Sequence, residues 1–87
     1  MNFLEQHFDA HAGDIIEVSL DRAANVRILD TSNFARLKRG QACRGYGGSA
    51  TGTPVRIRVP RTGRWHVVVD LGPRGGSIRA SARLLAA

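Results

Sequence analysis

Alternation of apolar and polar side chains between residues 54 and 71 constrains the fold more than any other feature of this chain. In residues 55–59 an apolar residue occupies every second position, and Arg56 and Arg58 lie between them. In residues 65–71 the apolar positions again recur with a period of two, starting at Trp65. This period is that of a β-strand with one buried face. Because a short turn at Arg61-Thr62-Gly63 joins the two stretches, the pattern predicts a β-hairpin.

Further stretches of the chain favour strands. They are residues 3–8, where the pattern is weak, and residues 15–20, 25–30 and 77–85. We expect residues 15–20 and 25–30 to pair antiparallel, since only a short connection separates them. Short strands at this spacing predict an all-β fold, a small antiparallel β-sandwich of jelly-roll type with six to eight strands. The single domain is expected to span residues 1–87.

Two segments depart from strand periodicity. The polar run Asp30-Thr31-Ser32-Asn33 contains the side chains that form Asx turns and helix N-caps. We therefore predict at most one helical turn at residues 33–39, or an irregular loop there. Residues 40–52 hold five of the ten glycines and are predicted to be the least regular part of the chain.

Composition restricts the class of protein. Thirteen Lys and Arg against seven Asp and Glu give a net charge of +6, which favours nucleic acid, acidic proteins or anionic surfaces as partners. Twelve of these basic residues are Arg, and a GC-rich genome produces the same Arg, Ala and Gly bias without selection for binding. One cysteine, no signal-peptide pattern and no long apolar run predict a cytoplasmic protein that does not enter a membrane.

A Gly-rich segment with an arginine and a tyrosine offers the best candidate ligand-binding surface. Its predicted binding residues are Arg44, Tyr46, Gly47 and Gly48. Exposed backbone amides beside a guanidinium group suit an anionic ligand. The alternative is that the glycines allow two sheets to cross closely, with Tyr46 packed beneath. Cys43 lies in the same segment, and we interpret it as an incidental small residue rather than a reactive thiol.

Outward-facing arginines define a second candidate surface. Arg56, Arg58, Arg79 and Arg83 fall on the polar sides of predicted strands and would form one basic patch if those strands are neighbours. Such a patch could follow a phosphate backbone. The ordinary alternative is a solvated, charged sheet face.

The histidines do not form a recognisable catalytic or metal-binding pattern in the sequence. His66 and Asp70 share a strand face, but four residues of strand separate them by about 13 Å, too far for a direct pair. His7 or His11 would have to approach His66 in space to complete a metal or general-base site. We instead predict that His66 is partly buried and hydrogen-bonded and that Asp70 caps a turn. No catalytic residue, metal or cofactor is predicted.

Three ordered motifs resemble a known family. AANVRILDTSNF at 23–34, RGYGG at 44–48 and GRWHVVVDL at 63–71 are similar to a small bacterial family of domains of unknown function. The resemblance implies a module rather than an enzyme, because similar domains occur beside TIR signalling domains. A weaker likeness is to the jelly-roll domains of the pre-peptidase C-terminal and collagen-binding type. Those domains often bind calcium through clustered acidic side chains. Because Asp14, Asp21, Asp30 and Asp70 lack metal-ligand spacing, the likeness implies a similar topology but no calcium site.

The sequence thus predicts a non-enzymatic binding or interaction module. The partner is expected to be a protein or a small ligand, with the domain serving as the sensing part of a signalling system. The alternative function is weak, sequence-tolerant nucleic-acid binding through the basic patch. We also expect self-association, with a homodimer as the preferred form, because a small sandwich carries edge strands.

Overall fold

A computed structural model describes residues 2–87, with the backbone alone at Arg74. Its strands are β1 (Leu4–Ala10), β2 (Ile15–Leu20), β3 (Ala24–Asp30), β4 (Tyr46–Ala50), β5 (Val55–Arg58), β6 (Gly63–Asp70) and β7 (Ala80–Leu85). Sheet A has the order β1-β6-β3-β4, sheet B has the order β5-β2-β7, and neighbouring strands are antiparallel. The predicted antiparallel β-sandwich is confirmed.

Side chains from the facing surfaces of the two sheets form the main core. Its fully buried members include Ile16 and Val18 from sheet B and Val26, Ile28 and Trp65 from sheet A. The alternation in the sequence correctly identified this face in β2, β3, β5, β6 and β7, whereas the pattern in β1 is weak and β4 was not predicted. Trp65 is the largest side chain in this core and is 1% exposed, which agrees with its position on the apolar face predicted for residues 65–71.

The predicted hairpin at residues 54–71 is wrong, because β5 and β6 belong to different sheets. β5 pairs with β2, whereas β6 lies between β1 and β3. The short connection around Arg61 crosses from one sheet to the other, so the buried faces of β5 and β6 meet across the core. Alternation of apolar and polar residues specifies which face of a strand is buried. Two strands show the same alternation whether they are neighbours in one sheet or face each other across the core, so the pattern does not identify the pairing partner.

The predicted pairing of β2 with β3 is wrong for the same reason. β2 pairs with β5 and β7 in sheet B, and β3 pairs with β4 and β6 in sheet A. Asp21, Arg22 and Ala23 carry the chain between the sheets.

A helix covers part of the outer face of sheet A, the face that points away from sheet B. Helix α1 (Thr31–Lys38) has eight residues, about two turns, and is longer than the single turn predicted. Its predicted N-cap is confirmed, since Asp30 accepts a hydrogen bond from the Asn33 N–H at 2.9 Å. Phe34 packs against Leu29 and Val68 in a second apolar cluster. No helix in residues 2–87 has the length and hydropathy needed to span a membrane.

Strand β4 lies in the segment that was predicted to be least regular. Its glycines allow a close approach, because a Cβ at Gly47 would lie 2.2 Å from the Val26 carbonyl oxygen. Gly47 also has a φ of +118°, which side chains rarely adopt. Tyr46 at the start of β4 remains exposed rather than packed beneath the glycines.

Candidate functional site

A groove at the edge of sheet A collects arginines and aromatic rings. It lies where helix α1, the start of β4 and the β5–β6 connection meet, and its volume is about 610 Å³. We call it the arginine groove. Its lining residues are Arg27, Asp30, Asn33, Cys43, Arg44, Gly45, Tyr46, Arg61 and Trp65.

The N-terminus of α1 holds the wall of the groove in place. Asn33 donates from Nδ2 to Asp30 Oδ1 at 3.0 Å, and its Oδ1 accepts a hydrogen bond from the Arg44 N–H at 2.8 Å. Further along the helix, Arg36 donates from Nε to the carbonyl oxygen of Ala42 at 2.6 Å. These side chains fix the backbone that carries Arg44 against the helix.

Arg61 and Trp65 form the opposite wall. The indole N–H of Trp65 donates to the carbonyl oxygen of Arg61 at 2.9 Å, and the Arg61 guanidinium lies 5.0 Å from the centre of the Trp65 ring. The guanidinium also pairs with Asp30. The ring of Tyr46 meets that of Trp65 edge to face, with centroids 5.9 Å apart.

Charge in the groove is predominantly positive. Three arginines line it against the single carboxylate of Asp30. Hydrogen bonds from Asn33, first from its backbone, lower the pKa of Asp30, and Arg61 acts in the same direction. Arg27 lies 3.8 Å from Asp70, whereas Arg44 forms no ion pair within the described residues. The groove therefore presents unneutralised guanidinium charge to solvent.

The structure brings together only part of the predicted ligand-binding set. Arg44 and Tyr46 line the arginine groove, whereas Gly47 and Gly48 continue β4 opposite β3 and are not among its lining residues. Sequence reasoning missed Arg27 and Arg61 as members of this site. Cys43 is half-buried and packs against the cluster around Phe34.

The basic patch is gathered around an acidic residue. Arg56 and Arg83 flank Glu17 on neighbouring strands of sheet B, with Nε–carboxylate distances of 2.9 and 2.7 Å. Arg58 lies on the same face, two residues along β5 from Arg56. Arg79 precedes β7, and four residues separate it from Arg83, a strand length of about 13 Å. Three of the four predicted arginines are therefore neighbours, and Glu17 neutralises part of their charge.

His66 takes part in a hydrogen-bonded network, as predicted, on the outer face of sheet A. Its Nδ1 lies 2.8 Å from Glu5 Oε2, and its Nε2 lies 3.1 Å from the hydroxyl of Thr31. The Thr31 hydroxyl, the His66 imidazole and the Glu5 carboxylate stand in the same order as the corresponding groups of hydrolase triads. The expected absence of enzymatic activity stays a prediction. Asp70 caps the following turn, as predicted, by accepting the Gly72 N–H at 2.8 Å.

Comparison with known proteins assigns the chain to a family. The family model described as a domain of unknown function, DUF1883, matches residues 1–87. The chain belongs to the DUF1883 family. This confirms the resemblance to a family of domains of unknown function. No curated protein and no solved structure matches this DUF1883 domain.

Proposed function

We propose that this DUF1883 domain is a non-catalytic binding module and that the arginine groove binds a small anionic ligand with a flat ring. The observation that carries the proposal is the position of Arg44 and Tyr46, exposed side by side in a groove of about 610 Å³. Ligand pockets of small molecules have volumes of this order.

The anionic part of the ligand is inferred from the arginines. Arg44 has no carboxylate partner in the described chain, and Arg27 has one only at 3.8 Å. A guanidinium group binds phosphate and carboxylate through two parallel hydrogen bonds. An anion bound to Arg44 would gain charge-assisted hydrogen bonds without displacing an ion pair of that residue in the described chain.

The flat part of the ligand is inferred from the aromatic wall. Tyr46 is one of two large apolar or aromatic side chains that stand out as exposed in the described chain. The Trp65 ring beside it already holds the Arg61 guanidinium on its face. A planar group could stack on Tyr46, a contact worth about 1–3 kcal/mol for a nucleobase.

Titration with adenosine monophosphate, monitored by amide NMR shifts, tests the proposal. We expect the shifts to change at Arg44, Tyr46 and Arg61. Adenosine and inorganic phosphate, each used alone, should bind more weakly, because adenosine lacks the anionic group for the arginines and phosphate lacks the flat ring for Tyr46. Arg44→Ala and Tyr46→Ala should each raise the dissociation constant at least about 10-fold, the equivalent of one charged or stacking contact.

Arg79→Ala is the matched control, since it removes the same charge from an exposed position outside the groove. It should leave binding unchanged. Shifts confined to the face that carries Arg56 and Arg58, or no shift at millimolar nucleotide, would overturn the proposal.

Nucleic-acid binding through Arg56, Arg58, Arg79 and Arg83 is the second candidate function. It is less well supported, because Glu17 occupies the centre of the patch and Arg79 stands apart from the other three arginines. Its test is retardation of an oligonucleotide at about 50 mM salt, with affinity falling steeply as salt rises. Arg58→Ala should weaken this binding, and Arg44→Ala should not.

We also propose a biological setting for this domain, as the sensing part of a larger signalling system in the cytoplasm. The free thiol of Cys43 suits a reducing cytoplasm. In that role, the anionic ligand of the arginine groove would be the signal that the domain senses. Measurement of ligand binding in a longer natural protein that contains this domain would test that role.

A further inference from the structure

Two histidines and a glutamate converge on the outer face of sheet A, away from the arginine groove. The Nδ1 atoms of His66 and His7 lie 2.8 and 3.1 Å from the same oxygen, Oε2 of Glu5. One nitrogen of each imidazole and one carboxylate oxygen of Glu5 all lie within 4.8 Å of one another. Three atoms of the types that bind transition metals thus lie close together.

The register of two strands produces this convergence. His7 in β1 lies directly opposite His66 in β6. Glu5 precedes His7 by two residues, so both side chains project from the same face of β1. A Glu-x-His segment on one strand and a His opposite it therefore place three side chains on one patch of the sheet.

The surroundings of His66 hold its ring in the orientation that a metal ligand needs. The ring stacks on Phe34, with centroids 4.3 Å apart and planes 13° apart. Its second nitrogen, Nε2, lies 3.1 Å from the Thr31 hydroxyl. A histidine that binds a metal through one nitrogen almost always donates the other N–H to an oxygen nearby, which fixes the tautomer. Thr31 supplies that oxygen, independently of Glu5 and His7.

We propose that Glu5, His7 and His66 form a binding site for a divalent transition metal of the Zn²⁺ type. Imidazole and carboxylate together suit Zn²⁺ and its first-row neighbours, whereas Mg²⁺ and Ca²⁺ prefer oxygen ligands alone. Ligands of a tetrahedral zinc ion lie about 3.4 Å from one another. The observed separations of 2.8 and 3.1 Å from Glu5 Oε2 are shorter than this, and the three ligand atoms all lie within 4.8 Å of one another, so small side-chain movements would bring them to a metal ion.

The site would leave at least one coordination position to water. The His66 side chain is 9% exposed and that of His7 is 52% exposed, so the metal would be reached from the side of β1. Three protein ligands and an open position are the arrangement of zinc sites that bind substrate, whereas structural zinc sites have four protein ligands. This proposal does not rest on the arginine groove, because none of the three ligands lines it.

Titration of the untagged, metal-free protein with Zn²⁺ and Co²⁺ tests the site. We expect one ion per chain by calorimetry and, with Co²⁺, the intense visible absorption of a four-coordinate ion. His7→Ala and Glu5→Gln change exposed residues, so they should fold normally and lose at least about 10-fold in affinity. Thr31→Val should lower the affinity about 10- to 100-fold by removing the oxygen that orients His66.

His11→Ala is the matched control, because the His11 side chain is 85% exposed and lies outside the cluster. It should bind both ions as the parent does. The proposal is overturned if the parent binds no ion at a 1:1 ratio, if His7→Ala binds like the parent, or if His11→Ala loses as much affinity as His7→Ala. Amide NMR shifts that change at residues other than Glu5, His7, His66 and their neighbours would also overturn it.

Discussion

The carboxylate of Glu17 accepts a hydrogen bond from Nε of Arg83 at 2.7 Å. Arg56 donates to the other carboxylate oxygen at 2.9 Å, and the Glu17 side chain is only 7% exposed. The three residues lie side by side across β5, β2 and β7. A single acidic side chain therefore links all three strands of sheet B on its outer face.

Unfolding should become easier in acid, in part through Glu17. Hydrogen bonds from Arg83 and then Arg56 lower the pKa of Glu17 below its ordinary value of 4.5. Because the folded protein then binds fewer protons than the unfolded chain, the stabilisation is complete above pH 4.5 and is lost as the pH falls through the folded pKa. Glu17→Gln should reduce the loss of unfolding free energy between pH 7 and pH 3 in urea titrations. An unchanged pH dependence in this variant would contradict the assignment.

Phe34 should contribute strongly to stability, although it lies outside the main core. It is buried between helix α1 and sheet A, beside Leu29, Val68 and the His66 ring. Truncation of such a ring, in Phe34→Ala, should lower the unfolding free energy by about 3–5 kcal/mol. Phe34→Leu keeps most of the volume and should cost less than about 1.5 kcal/mol. Equal losses in the two variants would show that volume at this position is not what matters.

Asp30 acts as both a helix cap and an ion-pair partner, and two substitutions separate these roles. Asp30→Ala removes the cap of α1 and should lower stability by about 1 kcal/mol, measured by chemical denaturation. Asp30→Asn keeps a good capping side chain and removes the charge that faces Arg61. It should retain most of the stability. If Asn at this position costs as much as Ala, the contribution of Asp30 comes from the ion pair instead.

Gly47 should tolerate no side chain. In Gly47→Ala the new Cβ would lie 2.2 Å from the Val26 carbonyl oxygen, at a φ that Ala avoids. We expect a loss of roughly 2 kcal/mol or more in unfolding free energy. Gly52→Ala is the control, because nothing lies within 4 Å of its Cβ position. It should change stability by less than about 0.5 kcal/mol.

A homodimer is expected at tens of micromolar protein, with β1 as the contact. β1 is a seven-residue edge strand of sheet A, and Leu4 on it is an exposed apolar residue. Unpaired edges of this kind favour pairing with a second chain. Analytical ultracentrifugation should show that Leu4→Lys shifts the population to monomer, whereas Tyr46→Ser on the opposite edge does not. A single 9.4 kDa species for the parent would refute the dimer.

The sequence predicted which faces are buried more reliably than which strands are neighbours. Alternation in residues 15–20 and 65–71 placed Ile16, Val18 and Trp65 in the core, where they are found. It does not distinguish a neighbour in the same sheet from a partner across the core, so both predicted pairings of consecutive strands were wrong. The length of helix α1 was underestimated because its sequence lacks a wide apolar stripe. Packing of Phe34 against sheet A stabilises the helix instead.

In the candidate sites, too, the sequence predicted residues that are near each other in the chain but not those that the fold brings together. Arg44 and Tyr46 were predicted from one Gly-rich segment, since they are near each other in the chain. Arg61 joins them only because the β5–β6 connection crosses between the sheets, which local patterns do not reveal. The cluster of Glu5, His7 and His66 depends on the pairing of β1 with β6, in which the partners are about 60 positions apart in the chain. The Glu-x-His segment in β1 was the one local signal that could have drawn attention to it.

The crossing of consecutive strands between sheets has a consequence for how the chain reaches its native state. Leu4 pairs with Val69, and Ile15 pairs with Leu85, so most of the polypeptide lies between the partners. Apart from β3 and β4, whose pairing closes a shorter loop, each strand must close a large loop before it gains a ladder of hydrogen bonds. Assembly is therefore limited by chain entropy rather than by local turn formation, which places such domains among the slow folders.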